Sequence, residues 1–146
     1  GLMPHMRLTS AEAPVPAQRA VSRDAADRVR RMLAGVVSID GTGLRAAVQG
    51  YTVAGKTGTV RKIGESGYEA NRHQSLFIGM LPAEQPRLVG LVMIDEPRSG
   101  AYYGGEVAAP VFSAVMQGAA HWLQLPPEQH TPGVTTAATP PRGPNT

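Results

Sequence analysis

The chain has 146 residues, enough for one compact unit or for part of a larger one and too few for a multidomain assembly. Hydrophobic residues make up 42% and charged residues 17%, which supplies a core and excludes a disordered polyelectrolyte. Lys and Arg outnumber Asp and Glu by 14 to 11 but are scattered, so nucleic acid is not expected as a partner, and the absence of Cys excludes thiolate metal sites, disulfides and cysteine nucleophiles. No apolar run reaches the roughly 18 residues that span a bilayer, and the opening Gly1-Leu2-Met3-Pro4-His5 lacks a signal-peptide pattern. Any export or anchoring signal is expected outside these residues.

Residues 1–21, with Pro4, Pro14 and Pro16, read as extended and not independently folded. Ser22 stands as an N-cap, Asp24 follows in the first turn, and Ala25, Val29, Met32, Leu33, Val36 and Val37 recur at helical spacing, which predicts a helix over 23–37. Its Arg28, Arg30 and Arg31 read as a solvated face. Asp40-Gly41-Thr42-Gly43 and Gly50 break the pattern, leaving 44–49 as a short strand or irregular connection. Strands are predicted over 51–60, 74–81 and 87–95, with a polar connection over 65–72. The link Pro82–Pro86 suits a hairpin and is too short for a parallel crossover, so the last two strands should run antiparallel. Residues 107–125 carry an apolar helical face with Pro110 near its start. Residues 126–146 hold 6 of the 13 prolines and read as a disordered tail, which makes 1–125 the folded portion. The fold class expected is α+β, an antiparallel meander with flanking helices. Met80, Met93 and Met116 read as core fillers.

The richest chemistry surrounds Lys56. Gly50 to Thr57 matches the phosphate-loop pattern of Gly, four residues, Gly-Lys-Thr, and Leu91–Glu96 matches an apolar strand ending in acidic residues. A phosphate loop requires a helix to begin near the lysine, yet Thr57-Gly58-Thr59-Val60 is a poor helix start and the meander opposes the parallel strands such a site needs. The other reading keeps Lys56-Thr57-Gly58-Thr59 extended. Alternation then sends Lys56 and Gly58 to one face and Thr57 and Thr59 to the other. Gly58 leaves room for a ligand strand, the threonine hydroxyls suit a carboxylate, and Lys56 supplies positive field or a proton relay.

The succession Gly41-Thr42-Gly43, Gly50-Tyr51, Ala54-Gly55-Lys56-Thr57-Gly58-Thr59, Phe77-Ile78-Gly79 with Pro82, Tyr102-Tyr103-Gly104-Gly105 and Ala109-Pro110-Val111-Phe112 resembles the C-terminal part of the class B penicillin-binding serine transpeptidases, most closely the septal cell-division type of Gram-negative bacteria. The resemblance covers residues 20–125, and the opening residues look like the continuation of a domain cut in mid-sequence. It implies part of a penicillin-binding/β-lactamase-like transpeptidase domain that cross-links peptidoglycan stem peptides through an acyl-serine intermediate at the periplasmic face of the inner membrane. Thr57 and Thr59 would bind the carboxylate of a stem peptide or β-lactam across Gly58, the Thr59 N–H would form half of the oxyanion hole, and Lys56 would assist proton transfer. Arg61 would add positive potential, and Tyr68, Tyr102 and Tyr103 would form an aromatic wall. No metal or organic cofactor is implied; other cell-division proteins are implied as partners.

One departure bears on activity. None of the serines at 10, 22, 38, 66, 75, 99 and 113 has Lys three positions later or Asn two positions later, so the Ser-x-x-Lys and Ser-x-Asn motifs of the family are missing. The chain alone is expected to be inactive and to need the N-terminal part of the same enzyme. A phosphate-loop nucleotide-binding module and a non-catalytic cell-wall binding domain are the alternatives. His5, His73, His121 and His130 show no metal-ligand spacing, His73 lacks a hydrolase elbow, and Asp95-Glu96 reads as a solvated turn whose side chains point apart.

Overall fold

The computed structural model describes residues 1–3, 5, 9, 13, 15–64, 67–98 and 100–128, with the side chains of 64 and 68–71 excepted. Strands β1 (Leu2–Met3) and β2 (Gln18–Arg19) form a short antiparallel ladder. Helix α1 spans Arg23–Gly35, and the main sheet contains β3 (Ala54–Gly64), β4 (Gly67–Leu81) and β5 (Leu88–Asp95) in the order β3-β4-β5, antiparallel throughout. Helix α2 (Gly104–Trp122) packs on this sheet. The α+β meander is thus as the sequence implies.

Local chemistry explains the boundaries. The Ser22 hydroxyl accepts from the Ala25 N–H at 3.1 Å and caps α1. The helix stops at Gly35, two residues before the predicted end, because the chain turns: the N–H groups of Val36 and Val37 bond to Leu33 and Ala34, and Val36 O then accepts from Gly43 at 2.9 Å. Arg30 is not the solvated residue expected; its side chain is one-quarter exposed, and its guanidinium lies 3.0 Å from Asp27 and 3.9 Å from Glu84. Residues 44–46 form a 3-10 turn, and the next strand begins at Ala54, not 51, because Tyr51 makes only an isolated bridge to Val48.

The core lies between α2 and one face of the sheet. Phe77 of β4 and Phe112 of α2 are fully buried, their ring centroids 4.8 Å apart at 58°. The close approach uses Gly79, where an added Cβ would lie 2.8 Å from Phe112 Cζ and 2.9 Å from Phe77 Cε1. Among the described residues the opposite face is uncovered over β4 and β5: Ile78, Leu91 and Met93 are 48%, 62% and 55% exposed, so Met93 is not a core filler.

Two further expectations give way. The polar connection over 65–72 is largely strand, since β4 begins at Gly67 and pairs with β3 as Gly64–Gly67 and Ile63–Tyr68. Helix α2 starts at Gly104, three residues early, because an added Cβ there would lie 2.2 Å from Leu76 O and 2.4 Å from Gly58 O, and glycine lets the helix end sit on the strand backbones. After α2, Tyr51 Oη donates to Leu125 O at 2.6 Å, and the Glu128 carboxylate accepts from the Thr52 N–H and from Thr52 Oγ1 at 2.7 and 2.9 Å. Of the stretch read as a tail, 126–128 is thereby seated on the turn before β3, and 129–146 lies outside the described residues.

Candidate active site

Strand β3 has a strand partner on one side only, so among the described residues its outer edge is open. The register pairs Thr57 with Phe77 and Thr59 with Ser75, which puts both threonines on the face covered by α2 and Lys56 and Gly58 on the other. Three segments converge on the threonines. The turn after α1 brings Thr42 Oγ1 to 3.2 Å from Thr57 Oγ1. The first residue of α2 donates its N–H to Thr59 Oγ1 at 3.2 Å, which leaves the Thr59 hydroxyl proton free to donate elsewhere. Tyr103 closes the far side. The groove between them measures about 430 Å3 and is lined by Thr42, Arg45, Thr57, Thr59, Tyr103 and Gly104, among others.

Lys56 crosses between the faces. Its Nζ donates to the Thr57 carbonyl at 2.8 Å and reaches Thr57 Oγ1 at 3.5 Å, so the ammonium lies against the residue that alternation sends to the opposite face. A long flexible side chain on an edge strand has no neighbouring strand to stop it. A cation, two hydroxyls and backbone donors around an open strand edge can hold a carboxylate and can stabilise negative charge developing beside Gly58.

The aromatic residues divide. Tyr103 faces this groove, and its hydroxyl accepts from Tyr102 Oη at 3.3 Å. Tyr102 is held by Ser75, whose hydroxyl donates to the Tyr102 carbonyl at 2.5 Å, and it stacks on His73 at 4.2 Å and 16°. Together with Arg61, Tyr102 lines a second, neighbouring groove. Tyr68 is on β4, but its side chain lies outside the described residues. Sequence reading assigned no role to Thr42, Gly104 or His73; Thr42 and Gly104 stand within glycine-rich motifs that were visible, whereas nothing in the sequence marks His73 as the base of the aromatic stack.

Asp95 and Glu96 do not point apart. Lys62 Nζ bonds Asp95 Oδ2 at 3.0 Å and Glu96 Oε1 at 2.7 Å, and Arg72 bonds the same Glu96 oxygen at 2.6 Å. Glu96 has φ of +49°, which ends the strand alternation and turns its side chain back toward its neighbour's partner. Hydrogen bonds from Lys62 first and Arg72 second hold the Glu96 carboxyl down at about 2; Lys62 and then Gln74 lower Asp95, and the two carboxylates raise Lys62. This clasp joins Lys62 of β3 and Arg72 of β4 to the C-terminal end of β5.

The described serines are engaged elsewhere: Ser22 caps α1, Ser38 donates to Gly35 O, Ser75 to Tyr102 O, and Ser113 to Ala47 O. None of these four is bonded to Lys56. The helix that a phosphate loop needs after Lys56 is replaced by strand β3, which removes the geometry behind the nucleotide-binding alternative.

Comparison with known proteins agrees with this geometry. The family model described as penicillin-binding protein transpeptidase domain matches residues 2–117. The chain is 37% identical over 133 residues to peptidoglycan D,D-transpeptidase FtsI of Escherichia coli, covering 91% of this chain and 23% of that protein. It is 45% identical over 119 residues to the probable peptidoglycan D,D-transpeptidase PbpC of Pseudomonas aeruginosa, covering 80% and 21%. Among solved structures, the apo transpeptidase domain of Burkholderia pseudomallei penicillin-binding protein 3 superposes with a TM-score of 0.72 at 41% identity, over 84% of this chain and 37% of that one. The chain thus spans under a quarter of the length of these two curated relatives. No helix among the described residues is long and apolar enough to cross a membrane.

Proposed function

The chain belongs to the penicillin-binding protein transpeptidase domain family, of the class B kind, and from that premise we infer that it forms one wall of a peptidoglycan D,D-transpeptidase active site at the periplasmic face of the inner membrane. Strand β3 receives an extended stem peptide, or a β-lactam, along its open edge. Thr57 and Thr59 hold the ligand carboxylate, Lys56 lends positive potential and assists proton transfer, and the Thr59 N–H contributes to the oxyanion hole. Tyr103 borders the bound ligand. The observation that carries this reading is the convergence of the Thr57 and Thr59 hydroxyls and the Lys56 ammonium beside a strand edge with room for another strand.

The nucleophile comes from a segment carrying Ser-x-x-Lys, with Ser-x-Asn completing the site, since this sequence has neither motif. That segment is the main partner, and other cell-division proteins are partners of the whole assembly. The exposed apolar face of the sheet supports the need for a covering segment. The test is co-expression of this chain with the preceding part of a class B transpeptidase domain, followed by labelling with a fluorescent penicillin. The expected result is labelling of the complex but not of the chain alone, and a loss of at least about 100-fold in acylation rate for Lys56→Ala, the scale of one positioned acid–base group. Undiminished labelling of Lys56→Ala would overturn the role of Lys56; a properly assembled complex that never labels would overturn the reading itself.

A further inference from the structure

Helix α1 carries two charged stripes that differ in their pairing. Asp24 and Arg28, four residues apart, form an ion pair at 2.9 Å. On the neighbouring stripe Arg23, Asp27, Arg30 and Arg31 recur at helical spacing. They form one side of a cleft of about 660 Å3, bounded also by Leu2 and Arg19 of the β1–β2 ladder and by Glu84 of the hairpin link. The cleft shares no lining residue with the groove at Thr57 and Thr59.

The charge of this cleft is unbalanced. Among the described residues four guanidiniums line it against two carboxylates, the Gly1 amine aside. Both carboxylates approach Arg30, Asp27 at 3.0 Å and Glu84 at 3.9 Å, and Arg23 reaches Asp27 only at 3.8 Å. Arg19 donates to the Val21 carbonyl at 3.4 Å, and Arg31 has no partner among the described residues, so no acid neutralises either. Arg30 Nε is buried without an acceptor, which leaves donor capacity that the described residues do not fill. Like charges gathered in one recess favour an incoming anion.

The spacing of the arginines selects the kind of anion. Arg23 and Arg31 are eight positions apart, which at about 1.5 Å per residue is about 12 Å along the helix, more than one phosphate group bridges. In an extended peptide, at about 3.3 Å per residue, the same span separates acidic side chains by about three or four positions. Leu2, 60% exposed at the rim, offers the intervening residues an apolar contact. We propose that this cleft docks an extended acidic segment of a partner protein. One carboxylate pairs with Arg23 and a second, three or four residues along, pairs with Arg31, while Arg19 and Arg30 add positive potential. The site recruits a partner and stands independently of the transpeptidase reading.

The test titrates the full chain, at low ionic strength, into a fluorescently labelled Gly-Ser peptide carrying two glutamates four residues apart, and into a counterpart with glutamines there. The readout is the ratio of the two dissociation constants by anisotropy. The glutamate peptide is expected to bind at least about tenfold more tightly, with added salt compressing the difference. Arg31→Ala should lower the ratio about threefold and the Arg19→Ala/Arg31→Ala pair about tenfold, the scale of exposed ion pairs, whereas Arg31→Lys should retain most of it. These side chains are exposed, so the variants keep the fold. Arg28→Ala removes the same charge from the stripe already paired with Asp24 and should leave the ratio unchanged. Equal binding of the two peptides, or an equal loss in Arg28→Ala and Arg31→Ala, would overturn the site. Displacement of the bound peptide by an equal concentration of inorganic phosphate would overturn the peptide assignment in favour of a simple anion site.

Discussion

The N–H of Gly104 donates to the hydroxyl of Thr59 at 3.2 Å, and through that bond the start of α2 is fixed to the strand that carries the Lys-Thr-Gly-Thr sequence. The contact exists because residue 104 has no side chain: a Cβ would meet the backbone carbonyl oxygens of Leu76 and Gly58 at 2.2 and 2.4 Å, and strand backbone yields less readily than a side chain. Gly104→Ala is therefore expected to lift α2 from β3 and to lower stability by about 1–3 kcal/mol, as overpacking does. A denaturant midpoint unchanged from the parent would refute this account of the helix start.

The strand-end clasp makes the acid limb of stability specific. Glu96 titrates at about 2 in the folded chain against an ordinary value of 4.5, so its contribution is present above pH 4.5 and is lost as pH falls from there toward 2. Lys62, raised above 10.5, adds the mirror effect, a contribution lost on the alkaline side of that value. Glu96→Gln should flatten the thermal-stability profile between pH 4.5 and 2 while leaving its shape near neutrality intact. A profile for the variant that runs parallel to the parent across that window would show that the clasp does not couple to folding.

Glu128 and Thr52 form the other tether of β3. The carboxylate takes both the hydroxyl and the N–H of Thr52, in a partly buried setting, two residues before the strand begins. Glu128→Ala leaves those donors without their partner and is expected to cost about 1–3 kcal/mol. Hydrogen exchange at residues 50–54 should quicken in step. Exchange at the parent rate would mean the tether is not populated in solution.

The uncovered sheet face governs how the chain behaves alone. With Ile78, Leu91 and Met93 about half exposed, the chain should self-associate as its concentration rises. Leu91→Lys should shift sedimentation toward monomer without lowering the unfolding temperature appreciably, since position 91 is 62% exposed. Persisting association in that variant would point to another surface.

Much of this was legible in the sequence. The five-residue link Pro82–Pro86 fixes the hairpin, and the succession from Gly41 to Phe112 carries the family. What escaped has physical reasons. Residues 67–73 read Gly-Tyr-Glu-Ala-Asn-Arg-His, without the apolar alternation by which a half-buried strand is recognised. Gly104-Gly105 reads as a helix breaker although tertiary packing demands glycine there. The convergence of Asp95 and Glu96 on Lys62 depends on one positive φ, which no spacing rule reveals. Met93 reads as core because its strand is apolar on both faces, whereas only one of them is packed among the described residues.

The most direct measurement is a crystal structure of the reconstituted complex acylated by benzylpenicillin. The account expects the penicillin carboxylate within hydrogen-bond distance of the Thr57 and Thr59 hydroxyls, with the ligand amide paired to the open edge of β3. A ligand carboxylate held elsewhere, with that edge left bare, would contradict it.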